Sequence, residues 1–63
     1  MINGKRRPDA VGKTLAAFLA SEGYRTDRVV VEYNGKIPDR SRYGEIVIAK
    51  EDRIEIVHFV GGG

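Results

Sequence analysis

The chain has no cysteine and a single histidine among its 63 residues. Without thiols it holds no disulfide framework, no thiolate zinc site and no cysteine nucleophile. One histidine likewise excludes a multi-histidine metal centre. Long hydrophobic runs are missing too. The longest, residues 15–20, is far shorter than the roughly 20 residues of a membrane span and too short for a signal-peptide core. No targeting segment is visible, so the expected location is the cytoplasm, with no membrane partner. Charge of one sign does not dominate either. Eleven basic residues stand against nine acidic ones, for a formal net charge of +2, which describes a mixed surface and not a nucleic-acid footprint. Aromatic residues make up 8% and do not interleave with the basic runs, so no nucleic acid is expected. So short a chain builds one small domain with little room for an enclosed substrate cavity. A self-contained enzyme is not expected.

What is present begins with turn chemistry. Asn3-Gly4 and Asn34-Gly35 are dipeptides that close two-residue β-hairpins, because both positions need positive φ. Between them lies one helix: Thr14 is suited to the N-cap, Leu15, Phe18 and Leu19 repeat at i, i+3, i+4, and Gly23 stands where a left-handed C-cap belongs. Residues 28–33 alternate, with Val29, Val31 and Tyr33 on one face and Val30 and Glu32 on the other, which predicts a strand. Residues 37–41 read as an irregular loop around Pro38. Residues 46–48 form a short strand candidate, Glu51-Asp52 a turn, and residues 54–60 the most hydrophobic strand. The near-continuous apolar run of this last strand predicts a central position covered on both sides over part of its length. The expected class is α+β: a mixed sheet of four to five strands with one helix packed across one face, its first and last strands central, parallel neighbours. The β-grasp has this arrangement, and other small α+β folds share the pattern.

Three groups of residues bear on chemistry. Gly12-Lys13-Thr14 before the helix resembles the end of a phosphate-binding loop, but Arg7 stands where that loop needs its first glycine. A turn followed by an N-cap is the expected role. His58, in the last strand, lacks a cysteine or second histidine to work with and reads as a partly exposed strand residue. Lys5-Arg6-Arg7 and the pair Arg40, Arg42 are basic clusters open to nucleic acid or an acidic partner, but charges on a solvated hairpin edge that deter sheet-to-sheet aggregation are the expected role.

The ending Gly61-Gly62-Gly63 directly follows a hydrophobic strand. By composition it is a frayed terminus or a cloning remnant. A sharper reading rests on its chemistry. Glycines lack a Cβ, so an extended tail of them threads a channel too narrow for other residues. A terminal carboxylate, with a pKa of about 3.5, is an anion at neutral pH and a poor electrophile. A partner holding ATP would activate it as an acyl-adenylate, and Gly63 would carry the chemistry with no catalytic side chain of its own.

The final ten residues, Ile54-Glu55-Ile56-Val57-His58-Phe59-Val60-Gly61-Gly62-Gly63, closely resemble the terminus of the ThiS family, sulfur carriers of thiamin thiazole biosynthesis. The resemblance continues through Asn3-Gly4, Thr14-Leu15, Val29-Val30-Val31-Glu32, Asn34-Gly35 and Arg40-Ser41, and covers essentially the whole chain. It departs at three places. Only Met1-Ile2 precede the first turn, where the family has a longer strand. Pro38 falls one place early, and Glu51 stands where glycine is common. The resemblance implies a ubiquitin-like β-grasp over residues 1–60 with a glycine tail at 61–63. It also implies a cycle. A ThiF-type adenylyltransferase would spend ATP to adenylate Gly63, and sulfur from a cysteine desulfurase would displace AMP to leave a thiocarboxylate. Thiazole synthase (ThiG) would then take the sulfur. Gly61 and Gly62 would thread partner active sites, while Phe59 and Val60, with Ile37 and Tyr43, would meet partners through the sheet face. The chain itself would bind no cofactor and would be a monomer. Three other readings stay open: a carrier for molybdopterin or another pathway, a ubiquitin-like protein modifier, and a binding module with an inert tail.

Overall fold

The computed structural model describes residues 1–58, and residues 59–63 lie outside that description. Strand β1 spans Val29–Tyr33, strand β2 spans Ile54–His58, and helix α1 spans Leu15–Ser21. Short 3-10 turns occupy Pro8–Ala10, Thr26–Arg28 and Arg40–Arg42. Among the described residues no helix is long and apolar enough to cross a membrane.

Both Asn-Gly dipeptides do what their chemistry dictates. Asn3 and Gly4 have φ of 50° and 78°, Asn34 and Gly35 of 51° and 84°, the positive values of a type I′ turn. The first closes the pair Ile2–Lys5 and the second the pair Tyr33–Lys36. Helix α1 also starts and stops as its sequence predicts. The Thr14 hydroxyl accepts a hydrogen bond from the Ala17 amide at 3.1 Å. At the other end Gly23 has φ 81°, and the amides of Gly23 and Tyr24 donate to the carbonyls of Ala20 and Leu19. This is a Schellman motif, which only a residue comfortable at positive φ completes.

Strands β1 and β2 pair antiparallel, with Val29 opposite His58 and Tyr33 opposite Ile54. On the far side of β2, Ile2 makes a parallel bridge to Ile54, so the chain start and the last strand are parallel neighbours as expected. The ladder itself has two strands among the described residues, fewer than the four to five expected. The first strand is too short to be more than the bridges at Ile2, and residues 46–48 contribute one bridge, Val47 to Thr14. The polar loop partner of 46–48 explains this: Ile48 exchanges bonds with Gly12 and Lys13, a turn that cannot extend as a strand.

Where strand one runs out, a side chain continues it. The Asn3 amide donates to the Ile54 carbonyl at 2.9 Å, and the Asn3 side-chain oxygen Oδ1 accepts from the Ile56 amide at 2.7 Å. The carboxamide stands in for the backbone carbonyl that a longer strand would have offered.

The core lies between helix and ribbon. Leu15, Phe18 and Leu19 from α1 pack with Val29 and Val31 of β1 and Ile54 and Ile56 of β2, joined by Ile2, Ala10, Tyr43 and Ile48. Strand β2 is covered on one side only: Ile54 and Ile56 are buried, while Glu55 and Val57 are exposed. Over residues 54–58 the expected cover on both sides is therefore not found, and residues 59–60 of the expected strand lie outside the described residues. The apolar character of Val57 comes from an exposed position, and the described part of the strand alternates like any half-buried strand. Arg7 also departs from its expected place on a solvated edge. Its guanidinium lies 5.2 Å from the Phe18 ring centroid and bonds the carboxylates of Asp9 and Glu22, strapping the N-terminal segment across the helix.

Candidate docking site at the root of the tail

The described chain ends at His58, where β2 leads toward Phe59, Val60 and the three glycines. Two elements hold this end. Val29 of β1 pairs with His58, and Arg40 fixes the loop beside it. The Arg40 guanidinium donates from Nε to the Thr26 carbonyl at 2.9 Å and from Nη2 to the Val29 carbonyl at 3.2 Å. The His58 ring is exposed and tilted against Tyr24, centroids 6.2 Å apart. Among the described residues no three His, Cys, Asp or Glu side chains converge on a metal-sized site.

The opposite end of the ribbon is fastened by a polar node. Asp52 accepts from the Ala49 amide at 2.8 Å, from the Asn34 side chain at 3.0 Å and from the Tyr33 hydroxyl. Asn34 returns the contact by accepting from the Arg53 amide at 2.8 Å. Burial, together with this carboxylate partner, pushes the Tyr33 hydroxyl well above its ordinary pKa of 10.0. For Asp52, burial works toward a higher pKa, but the bonds from Tyr33, Ala49 and Asn34 outweigh it and hold the carboxyl below the usual range. The node is structural, since it joins the Asn34-Gly35 turn to the 49–52 turn.

The solvent face of the ribbon is different. Val30 lies directly opposite Val57, and Glu32 directly opposite Glu55. Val57 is 58% exposed, so the tail root adjoins an apolar pair and then an acidic pair. Sequence reasoning placed Val30 and Glu32 on one face but passed over Glu55 and Val57. Applying the same period of two to β2 would have found them. Of the interface residues expected from sequence, Ile37 is 68% exposed and Tyr43 only 3%. Tyr43 is therefore a core residue and offers no docking surface: it belongs to the core cluster, and its carbonyl accepts from the Ala16 amide at the helix start. Phe59, Val60, Gly61, Gly62 and Gly63 lie outside the described residues.

No phosphate cradle forms at Gly12-Lys13-Thr14. The first helical amides are already engaged: Leu15 donates to the Ile46 carbonyl, Ala16 to that of Tyr43, and Ala17 to the Thr14 hydroxyl. A hollow of about 840 Å³ opens at the other end between Met1, Arg6, Val11, Lys50 and Arg53.

The model of the ThiS family matches residues 1–63. The chain belongs to the ThiS family. Among curated relatives, this ThiS-family chain is 46% identical over 50 residues to the sulfur carrier protein ThiS of Bacillus subtilis, covering 79% of this chain and 76% of that one. It is also 39% identical over 62 residues to a thiazole synthase of Magnetococcus marinus, covering 98% of this chain. The ThiS-family chain spans only 19% of the length of that protein and of a second thiazole synthase, from Paramagnetospirillum magneticum. Among solved structures it superposes on the thiamine biosynthesis protein ThiS of Geobacter metallireducens with a TM-score of 0.76, covering 100% of this chain and 96% of that one at 24% identity. That likeness gives the fold: a ubiquitin-like β-grasp with one helix.

Proposed function

We propose that this chain is the sulfur carrier of thiamin thiazole biosynthesis, with Gly63 as its reacting residue. The observation that carries this reading is the family match over residues 1–63, which includes the glycine ending. A ThiF-type adenylyltransferase joins the Gly63 carboxylate to AMP, releasing pyrophosphate from ATP. The outer sulfur of a desulfurase persulfide, drawn from cysteine, then displaces AMP to give an acyl disulfide. A thiol reductant cleaves its S–S bond, itself ending as a disulfide, and the thiocarboxylate so released passes its sulfur to thiazole synthase. Two relatives named thiazole synthase in which a region like this chain makes up 19% of the length support that enzyme as the receiver. The chain is a co-substrate, not an enzyme, binds no cofactor of its own and works in the cytoplasm as a monomer. Gly61 and Gly62 thread the partner active sites, and Phe59, Val60 and Ile37 contribute to docking. The proposal includes a sheet of four to five strands, to which the bridges at Ile2, Lys36 and Val47 lend support.

The test is intact-mass spectrometry after incubation with the adenylyltransferase, ATP and a sulfide source. Exchange of oxygen for sulfur adds about 16 Da, nearly the same as oxidation of Met1, so the shift is mapped to the C-terminal peptide by alkylation. A shift on Gly63 that requires ATP is the expected result. Its absence with an active enzyme refutes the carrier reading and returns the tail to an inert terminus.

A further inference from the structure

The hollow at the pole opposite the tail root has no task in the fold or in the carrier cycle. It holds about 840 Å³ between two segments, residues 6–11 and 48–53, a size within the range of small-molecule sites. Both walls are fastened. Gly12 donates to the Ile48 carbonyl and Ile48 to that of Lys13, each at 2.9 Å, and the Asp52 carboxylate closes the 49–52 turn on the Ala49 amide. The hollow is therefore preformed, and its charge is one-sided. Arg6, Lys50 and Arg53 line it, and among the described residues none of the three takes part in an ion pair. Arg7 lines it as well but is taken up by Asp9 and Glu22. Of the two carboxylates in the lining, Asp52 is committed to Tyr33, Asn34 and Ala49, which leaves Glu51. Three free cations against one free carboxylate are an excess as large as the net charge of +2 of the whole chain. Cations gathered on a concave surface repel one another and focus their field on an entering anion. The rest of the lining is apolar, with Ile2 and Ile48 from the core and the half-exposed Met1 and Val11.

We infer that this hollow binds an organic phosphate, with Arg6, Lys50 and Arg53 on the phosphate oxygens and Met1 and Val11 against an apolar or aromatic body. The two guanidinium groups suit paired donation to phosphate, and the lysine adds a point charge. An acidic protein face fits the site less well, since it would need a broad patch of roughly 800 Å² on each partner. Arg53 directly precedes β2 while the tail follows its other end, so an occupied carrier still presents its tail. The site is independent of the carrier reading.

The experiment titrates the full chain, with nothing appended ahead of Met1, with ADP, ribose 5-phosphate, inorganic pyrophosphate and a poly-aspartate peptide. Amide NMR shifts at low ionic strength give the place of binding and Kd. The expected result is a saturable shift of amides in residues 6–11 and 48–53, with inorganic pyrophosphate weaker than the better of the two organic phosphates. ADP binding ahead of ribose 5-phosphate assigns a nucleotide, and the reverse order a sugar phosphate. Variants add arms of opposite sign, with melting temperatures recorded alongside. Arg53→Gln should raise Kd roughly two- to fivefold, the range of one exposed charge pair, and Lys50→Gln with Arg53→Gln roughly tenfold. Glu51→Gln should lower it by roughly two- to fivefold, because it removes the one free anion from the lining. Arg28→Gln removes the same charge from an exposed position just before β1 and should leave Kd unchanged. The inference is overturned if no organic phosphate gives a saturable shift, or if pyrophosphate binds as tightly as both. A loss with Arg28→Gln equal to that with Arg53→Gln also overturns it, as net charge alone would then attract the ligand. Shifts caused by the poly-aspartate peptide and by no phosphate overturn it in favour of an acidic protein segment. None of these results touches the carrier reading, which is tested by adenylation of Gly63.

Discussion

The Asn3 side chain gives the sharpest test of how this chain makes a central strand from so few residues. Its Oδ1 is the acceptor for the Ile56 amide at 2.7 Å, and Ile56 is 8% exposed, so water cannot readily replace it. The same residue sits at φ 50°. Three substitutions separate the two contributions. Asn3→Gly relieves the backbone but removes the acceptor, leaving a buried amide unsatisfied at a cost of about 1–3 kcal/mol. Asn3→Ala adds roughly 1–2 kcal/mol for a Cβ in the left-handed region. Asn3→Asp keeps both an acceptor and tolerance of positive φ, and should lie within about 1 kcal/mol of wild type. For a domain of this size each kcal/mol moves the melting temperature by about 4–8 °C. Asn3→Gly should therefore melt well below wild type, Asn3→Ala lower still, and Asn3→Asp close to wild type. Amide hydrogen exchange locates the effect, since Ile56 should lose protection before the β1–β2 pairs on the other side of the strand. If Asn3→Gly is as stable as wild type, the carboxamide contributes nothing and the proposed continuation of the strand is refuted.

Two further predictions concern local structure and pH. Thr14→Ala removes the hydroxyl that caps the Ala17 amide and should destabilise the fold by about 1 kcal/mol, read from denaturant midpoints at unchanged slope. The carboxyl groups of Asp9, Glu22 and Asp52 are all held below their ordinary pKa values, the first two by hydrogen bonds from Arg7. Each contribution is complete above the ordinary carboxylate range and is lost as pH falls through the lowered folded value, so stability should decline below about pH 4. Asp52→Asn should flatten that acid limb. The raised Tyr33 hydroxyl acts at the other extreme: its contribution is complete below pH 10.0 and disappears as pH climbs above it. Tyr33→Phe should remove this alkaline limb, and ultraviolet titration of the phenolate should show one tyrosine fewer resisting ionisation. Acid and alkaline melts of both variants that overlay wild type would refute the node.

What could be read from the sequence was whatever is decided locally. Positive φ at Asn3 and Asn34 follows from two adjacent residues, and the ends of α1 follow from Thr14 and Gly23. The inward face of β1 follows from the alternation of Val29, Val31 and Tyr33. The rest depends on partners far away in sequence. Arg7 looked like a solvated charge because Phe18 and Glu22, which receive it, lie eleven and fifteen positions later. Tyr43 sits in a run of polar loop residues, and nothing nearby indicates that the loop folds back to present its carbonyl to Ala16. Strand β2 misled for the opposite reason, since Val57 blurs the alternation that Glu55 marks. At the candidate site, the glycine ending pointed to Gly63, whereas the acidic pair became visible only once the register brought Glu32 opposite Glu55.

The bridge between Ile2 and Ile54 runs parallel, and the Met1 ammonium donates to the Asp52 carbonyl at 2.7 Å. The chain start therefore lies beside the first residue of β2, while His58 lies four steps away, roughly 13 Å along the strand. This gives the domain two poles with separate tasks. Anything appended ahead of Met1 emerges at the far pole from the tail root and forfeits one ammonium contact, leaving the ribbon face clear. A tether or label for following the carrier in a mixture of enzymes belongs there.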